Sequence, residues 1–187
     1  MSTHNVNLGI GRDSVSGMFF YAPAGTELPD YPAATLASAW VNGGDISEDG
    51  ASWTPIASMT VIKNWANEAV RNFSEENGSA SASILYTTEE SLKAVFGDDA
   101  VEVTAATATH GKLIKVTPQA ELIEPMAFLF IGKDDDDLFM LGTSKGTVNA
   151  ISDVSFAPNG TINWTPTIEG KWTFVKDDGQ KTTGSSS

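Results

Sequence analysis

Only one segment of this chain reads as a helix, and the residues around it read as strand and turn. Glu89–Phe96 follows Thr88, whose hydroxyl can cap the first turn, and Gly97 stands just past its end. Leu92, Val95 and Phe96 stand at i, i+3 and i+4, which makes a single apolar stripe. A helix this short covers little sheet. The strands must therefore bury one another, which leaves a sandwich or a barrel, with the helix (88–97 with its caps) plugging one open edge.

Strand signals recur at roughly 8–12-residue spacing. Residues 14–21 form a first strand, and another follows Pro55 over Ile56–Asn64. Residues 67–86 read as a β-hairpin about Asn77-Gly78, a pair suited to the left-handed backbone of two-residue turns. Its second arm alternates: Ser79, Ser81 and Ser83 point one way, while Ala80, Ala82 and Ile84 point the other. Such a strand has one wet side. Further strands fit Ala100–Thr109, Lys112–Thr117, Met126–Ile131, Leu138–Gly142, Ala150–Phe156, Thr161–Thr165 and Lys171–Lys176, with turn signals at Asp49-Gly50, His110-Gly111 and Asn159-Gly160.

Residues 22–45 break this rhythm. Pro23, Gly25, Pro29, Pro32, Gly43 and Gly44 punctuate a segment without periodicity. Compact domains rarely carry loops longer than ~15 residues without a functional reason. Leu28, Tyr31, Leu36 and Trp40 have no evident place in the chain's own core and are candidate anchors on a neighbouring subunit.

Composition bounds the function. Hydrophobic residues make up 41% of 187, enough for one β domain with a true core. Residues 1–13 read as an N-terminal arm, 14–178 as the β domain and 179–187 as a flexible polar tail. No apolar run is long enough to cross a bilayer, and the N-terminus lacks a basic stretch followed by an apolar one. With no cysteine, disulfides and thiolate metal sites are excluded. Asp+Glu 24 against Lys+Arg 11 gives a net charge of −13, which opposes nucleic-acid binding. A surface that must lie near DNA without sticking to it would carry the same sign.

The search for catalytic chemistry is negative. His4 lies in the arm and His110 in a turn, and no local motif places either between a serine and a carboxylate. Asp134-Asp135-Asp136-Asp137 could be taken for a calcium site. Consecutive residues in an extended chain point in alternating directions, however, so a solvated hairpin tip is the better reading. No cofactor is expected.

Four segments together resemble a known family. They are Asp45-Ile46-Ser47-Glu48-Asp49-Gly50 with Trp53 behind it; Ile62-Lys63-Asn64-Trp65 followed by Glu68-Ala69-Val70-Arg71; Glu90–Asp99; and Phe128-Leu129-Phe130 across the acidic hairpin to Gly146-Thr147-Val148, Ile151–Phe156 and Trp172-Thr173-Phe174. In this order and spacing the chain resembles the major tail protein, or tail-tube subunit, of long-tailed bacteriophages, particularly those of actinobacterial hosts. The resemblance implies a mainly β subunit, a β-sandwich or partial barrel with one short flanking helix, whose strands join an inter-subunit barrel. It implies a structural virion protein and no enzyme. Hexameric rings would stack into a tube through which DNA passes without specific binding. The partners would be further copies of the chain, a tape measure protein and tail-tip and terminator proteins, with assembly in the host cytoplasm and no membrane.

On that reading the lumen is acidic and the 67–86 hairpin lines it, with Glu68, Glu75, Glu76, Ser79, Ser81 and Ser83 as lining candidates, while Asn77-Gly78, at a ring-to-ring edge, joins the loop anchors as a candidate subunit interface. A second class is a carbohydrate-binding or adhesive β-sandwich, with Trp40, Trp53, Trp65, Trp164 and Trp172 forming a stacking face. A hydrolase ranks third, for want of a nucleophile–base set.

Overall fold

The computed structural model describes residues 16–32, 35–55, 58–63, 69–75, 77–85, 87–119, 123–134, 137–154 and 162–178. In chain order the elements are β1 (Ser16–Pro23), β2 (Val41–Thr54), β3 (Ser58–Lys63), β4 (Ala69–Glu75), β5 (Gly78–Ile84), α1 (Glu89–Phe96), a 3-10 turn (Asp98–Ala100), β6 (Val101–Thr104), β7 (Leu113–Val116), β8 (Met126–Asp134), β9 (Asp137–Ile151), β10 (Pro166–Gly170) and β11 (Thr173–Asp177).

The main sheet closes on itself. Its order is β10-β5-β2-β1-β8-β9, and β9 pairs back onto β10, giving an antiparallel six-stranded barrel. Closure depends on the length of β9. Its first half carries β11 through Leu138–Gly142, and its second half carries β10 through Gly146–Ile151. Closing the barrel removes the sheet edges that an open sandwich would expose.

Residues facing inward from β1, β5, β8 and β9 form the principal core. Phe19 stacks on Phe128 and Phe130 at 5.9 and 5.1 Å, and Phe130 stacks on Trp172 at 5.7 Å. α1 closes the end of the barrel, adding Leu92, Ala94, Val95 and Phe96 to that core. The helix starts as the sequence requires. The Thr88 hydroxyl accepts from the Ser91 amide at 3.0 Å, and the Thr88 amide donates to the Ser91 hydroxyl at 2.9 Å. This reciprocal box satisfies two otherwise unpaired donors. Gly97, at φ 87, ends the helix in a backbone region that favours glycine. Glu89 receives Lys93 at 2.8 Å and Lys112 at 2.6 Å, tying the helix to the β6–β7 ribbon. The hydrogen bonds from Lys112 and Lys93 hold its carboxyl down to about 2.

A second core lies on the outside of β1 and β8. Because side chains alternate across a strand, the outward neighbours Phe20, Ala22, Ala127, Leu129 and Ile131 need their own cover. The segment between β1 and β2 supplies it. Leu36 and Trp40 are buried there, 4% and 1% exposed, with Leu28 packed against them and Val175 of β11 completing the layer. This corrects the premise that the segment has no place in its own core. It also shortens the loop, since β1 runs to Pro23 and β2 begins at Val41.

The expected 67–86 hairpin is not formed. β4 pairs with β3, with Arg71 opposite Val61, while β5 lies in the barrel between β2 and β10. Asn77-Gly78 is therefore a strand entry rather than a hairpin turn. Gly78 is extended and buried, and a Cβ there would collide with the carbonyls of Thr54 and Pro55. Close approach, not a turn, requires glycine at this position. Asp49-Gly50 is likewise a bulge within β2: pairing with β5 jumps from Ile46↔Ile84 to Ala51↔Ala82, and Gly50 takes φ 73.

Elsewhere, β6 and β7 are shorter than expected, and β9 runs unbroken to Ile151 instead of restarting at Ala150. β10 falls between two expected strands. Pro166 is its first residue, a place where a ladder tolerates proline. The N-terminal arm, the C-terminal tail and the Asn159-Gly160 turn lie outside the described residues.

Candidate functional site

β5 is buried on one face and wet on the other along its whole length. Ala80, Ala82 and Ile84 enter the barrel core, and Ser79, Ser81 and Ser83 face outward, half-buried. Paired residues on neighbouring strands share a face, so this wet surface continues sideways. On β2, the Ser52 hydroxyl lies 2.9 Å from that of Ser81. On the other side the Ser83 hydroxyl lies 3.0 Å from that of Thr165, just before β10. On β10, Thr167 pairs with Ser81 and Glu169 with Ser79. The Asn149 amide of β9 donates to the Glu169 carboxylate at 3.1 Å. The result is a hydroxyl-rich surface across four strands, and Glu169 is the only charged residue among those named. The alternation of β5 was legible in sequence. Its extension onto Ser52, Thr165, Thr167, Asn149 and Glu169 was not, because it depends on strand order.

The other sequence candidates fall in several places. Glu75 pairs through its backbone with Ser58 of β3 and not with β5, and Glu68 and Glu76 lie outside the described residues. Asn77 is exposed at the entry to β5. Tyr31 is 51% exposed, in contrast to Leu36 and Trp40. Asp134 and Asp137 are backbone partners across the β8–β9 connection, and Asp137 is paired with Lys176. Among the described residues, no group of three or more acidic or imidazole side chains is placed to hold a metal.

The tryptophans do not share a face. Trp40 is in the second core, and Trp172 stacks on Phe130. Trp164 meets Phe96 edge-on at 5.3 Å and donates its indole N–H to the Thr87 hydroxyl at 3.1 Å. Trp53 stacks on Phe174 at 6.2 Å, and both are exposed. Trp65 lies outside the described residues. A flat sugar platform needs coplanar neighbours, and these four side chains occupy separate sites.

The fold is that of a closed antiparallel β-barrel with one flanking helix and a broad hydroxyl surface. The phage tail tube protein family matches residues 13–168, and the chain belongs to that family. It is thus a structural tail protein of the virion, from a family that is not one of enzymes. Among solved structures it is similar to a chain of the anti-feeding prophage cap, the tube-terminating cap, at 8% identity and a TM-score of 0.42, covering 94% of this chain and 97% of that one. It is also similar to a chain of the virion of a native gene transfer agent, at 10% identity and a TM-score of 0.38, covering 84% and 95%. No curated protein matches it.

Proposed function

We propose that this protein is the wall subunit of the tail tube: copies form hexameric rings, the rings stack, and the hydroxyl surface on β5 and its neighbours faces the lumen. The observation that carries this reading is a sheet face kept wet across four strands, although the same barrel buries apolar side chains on the faces of β1 and β8. A lumen too wide for side chains to fill encloses water, and a wall of hydroxyls meets that water at low cost.

The wall has a second property, an acidic character, to which Glu169 contributes on the named surface in a chain of net charge −13. DNA slides past a neutral or acidic wall and sticks to a basic one. Charges act over about 8 Å at physiological ionic strength, so only those near the lumen matter. Tape measure, tail-tip and terminator proteins are the partners such a tube requires, with assembly in the host cytoplasm before incorporation into the virion. The exposed Tyr31 is the loop residue best placed to meet a neighbouring subunit. Negative-stain microscopy of purified protein tests the reading: rings or tubes support it, and a persistent monomer opposes it.

A further inference from the structure

A second feature lies at the α1 end of the barrel. An open cavity of about 780 Å³ separates the helix from the ends of β1, β2 and β8. Glu90, Asp98 and Asp99 line it from the helix and the turn that follows, and Glu124 lines it from the chain entering β8. The one cation in the lining, Lys93, is engaged by Glu89 at 2.8 Å. Tyr21 lines the cavity from β1. It belongs to the principal core and is only 9% exposed, yet its hydroxyl has no hydrogen-bond partner among the described residues. A buried hydroxyl without a partner costs free energy that a ligand can recover. Burial, reinforced by Asp98 and Glu90, pushes that hydroxyl up to about 12, so it stays protonated and its oxygen can accept a bond from an ammonium. Ala22, Val41 and Met126 add an apolar wall.

We propose that this cavity binds a linear aliphatic diamine, with one ammonium held at Glu90, Asp98 and the Tyr21 hydroxyl and the other at Glu124. The lining selects a cation, because its four carboxylates face a single ammonium that Glu89 already holds. Among the described residues no carboxylates form a group that could hold a metal ion, and a bare divalent ion needs several converging oxygens. Carboxylates divided between the helix side and the β8 side of one cavity suit a ligand with two separated charges instead. The apolar wall suits the methylene chain between them, which packs on apolar surface while its charged ends stay at polar groups. Tyr21 supplies the selectivity. Solvated carboxylates attract any cation, whereas a neutral and nearly buried hydroxyl favours one that can donate a hydrogen bond to it. The site belongs to the single chain, so it goes beyond the tube reading and does not depend on it.

Isothermal titration calorimetry of the unassembled full-length protein with 1,5-diaminopentane tests the site. Its Kd should be at least about tenfold lower than that of 1-aminopentane or of magnesium at matched ionic strength. Tyr21→Phe keeps the ring in the core and removes only the oxygen, and should raise the Kd about tenfold. Glu90→Gln with Glu124→Gln should raise it by about tenfold or more. Asp30→Asn with Asp153→Asn removes the same charge from exposed positions outside the lining, and should change it by less than about twofold. Absence of binding, equal affinity for the three cations, or wild-type affinity in Tyr21→Phe would each overturn the site. Equal weakening by the two double variants would also overturn it, by reducing the binding to the ion atmosphere of an acidic protein. None of these results bears on the tube reading, which is tested by microscopy of the assembled protein.

Discussion

Trp40→Ala separates self-packing from subunit contact in the segment between β1 and β2. Trp40 is 1% exposed and lies with Phe20, Leu36, Leu129, Ile131 and Met140 in the second core. Burying a tryptophan removes ~150–250 Å² from water. At ~25 cal/mol per Å² that is about 4–6 kcal/mol for the whole side chain, and truncations of large aromatics in cores cost ~3–5 kcal/mol. Each kcal/mol shifts Tm by ~2–4 °C in a domain of this size, so the monomer should melt roughly 6–20 °C lower. Calorimetry or circular dichroism on unassembled protein reads the shift. A variant monomer melting within ~2 °C of wild type, while failing to form tubes, would refute the second core and return Trp40 to an inter-subunit role.

Other substitutions test separate parts of the structure. Ala80 and Ala82 are 1% and 3% exposed inside the barrel, so changing both to Asp should abolish the cooperative melting transition rather than only block assembly. Gly78→Ala should lower the urea midpoint by the equivalent of ~1–3 kcal/mol, because the clash is with backbone carbonyls that cannot swing away. Thr88→Ala should cost ~0.5–2 kcal/mol by the same assay, through loss of the capping box. The Glu89 carboxyl is held at about 2 against 4.5 when free, so its contribution is complete above 4.5 and is lost as pH falls from there through about 2. Over that window, acid unfolding of Glu89→Gln should therefore be less steep than that of wild type.

Local rules made the helix and the face pattern of β5 legible. Thr88, Gly97 and the Leu92–Phe96 stripe specify α1 without tertiary help, and Ser/Ala alternation marks which side of β5 is wet. Pairing partners were not legible. Asn77-Gly78 and Asp49-Gly50 are strong turn signals by composition, yet one is a glycine demanded by the carbonyls of Thr54 and Pro55, and the other a bulge. Both roles depend on a strand distant in sequence. Trp40 and Leu36 looked unplaced because the apolar residues they cover, Leu129 and Ile131, arrive roughly a hundred residues later on β8, on the strand face opposite the principal core. The same non-local order hid the wet surface beyond β5, since only the β10–β5–β2 arrangement sets Thr167, Ser81 and Ser52 side by side.

Electron cryomicroscopy of tubes assembled from the purified chain would resolve both the symmetry and the inner wall. The expected map has six subunits per ring, with Ser79, Ser81, Ser83 and Glu169 facing a water-filled lumen. A wall built from another face of the barrel, or one lined by lysine and arginine, would contradict the assignment of this surface to the path of the DNA.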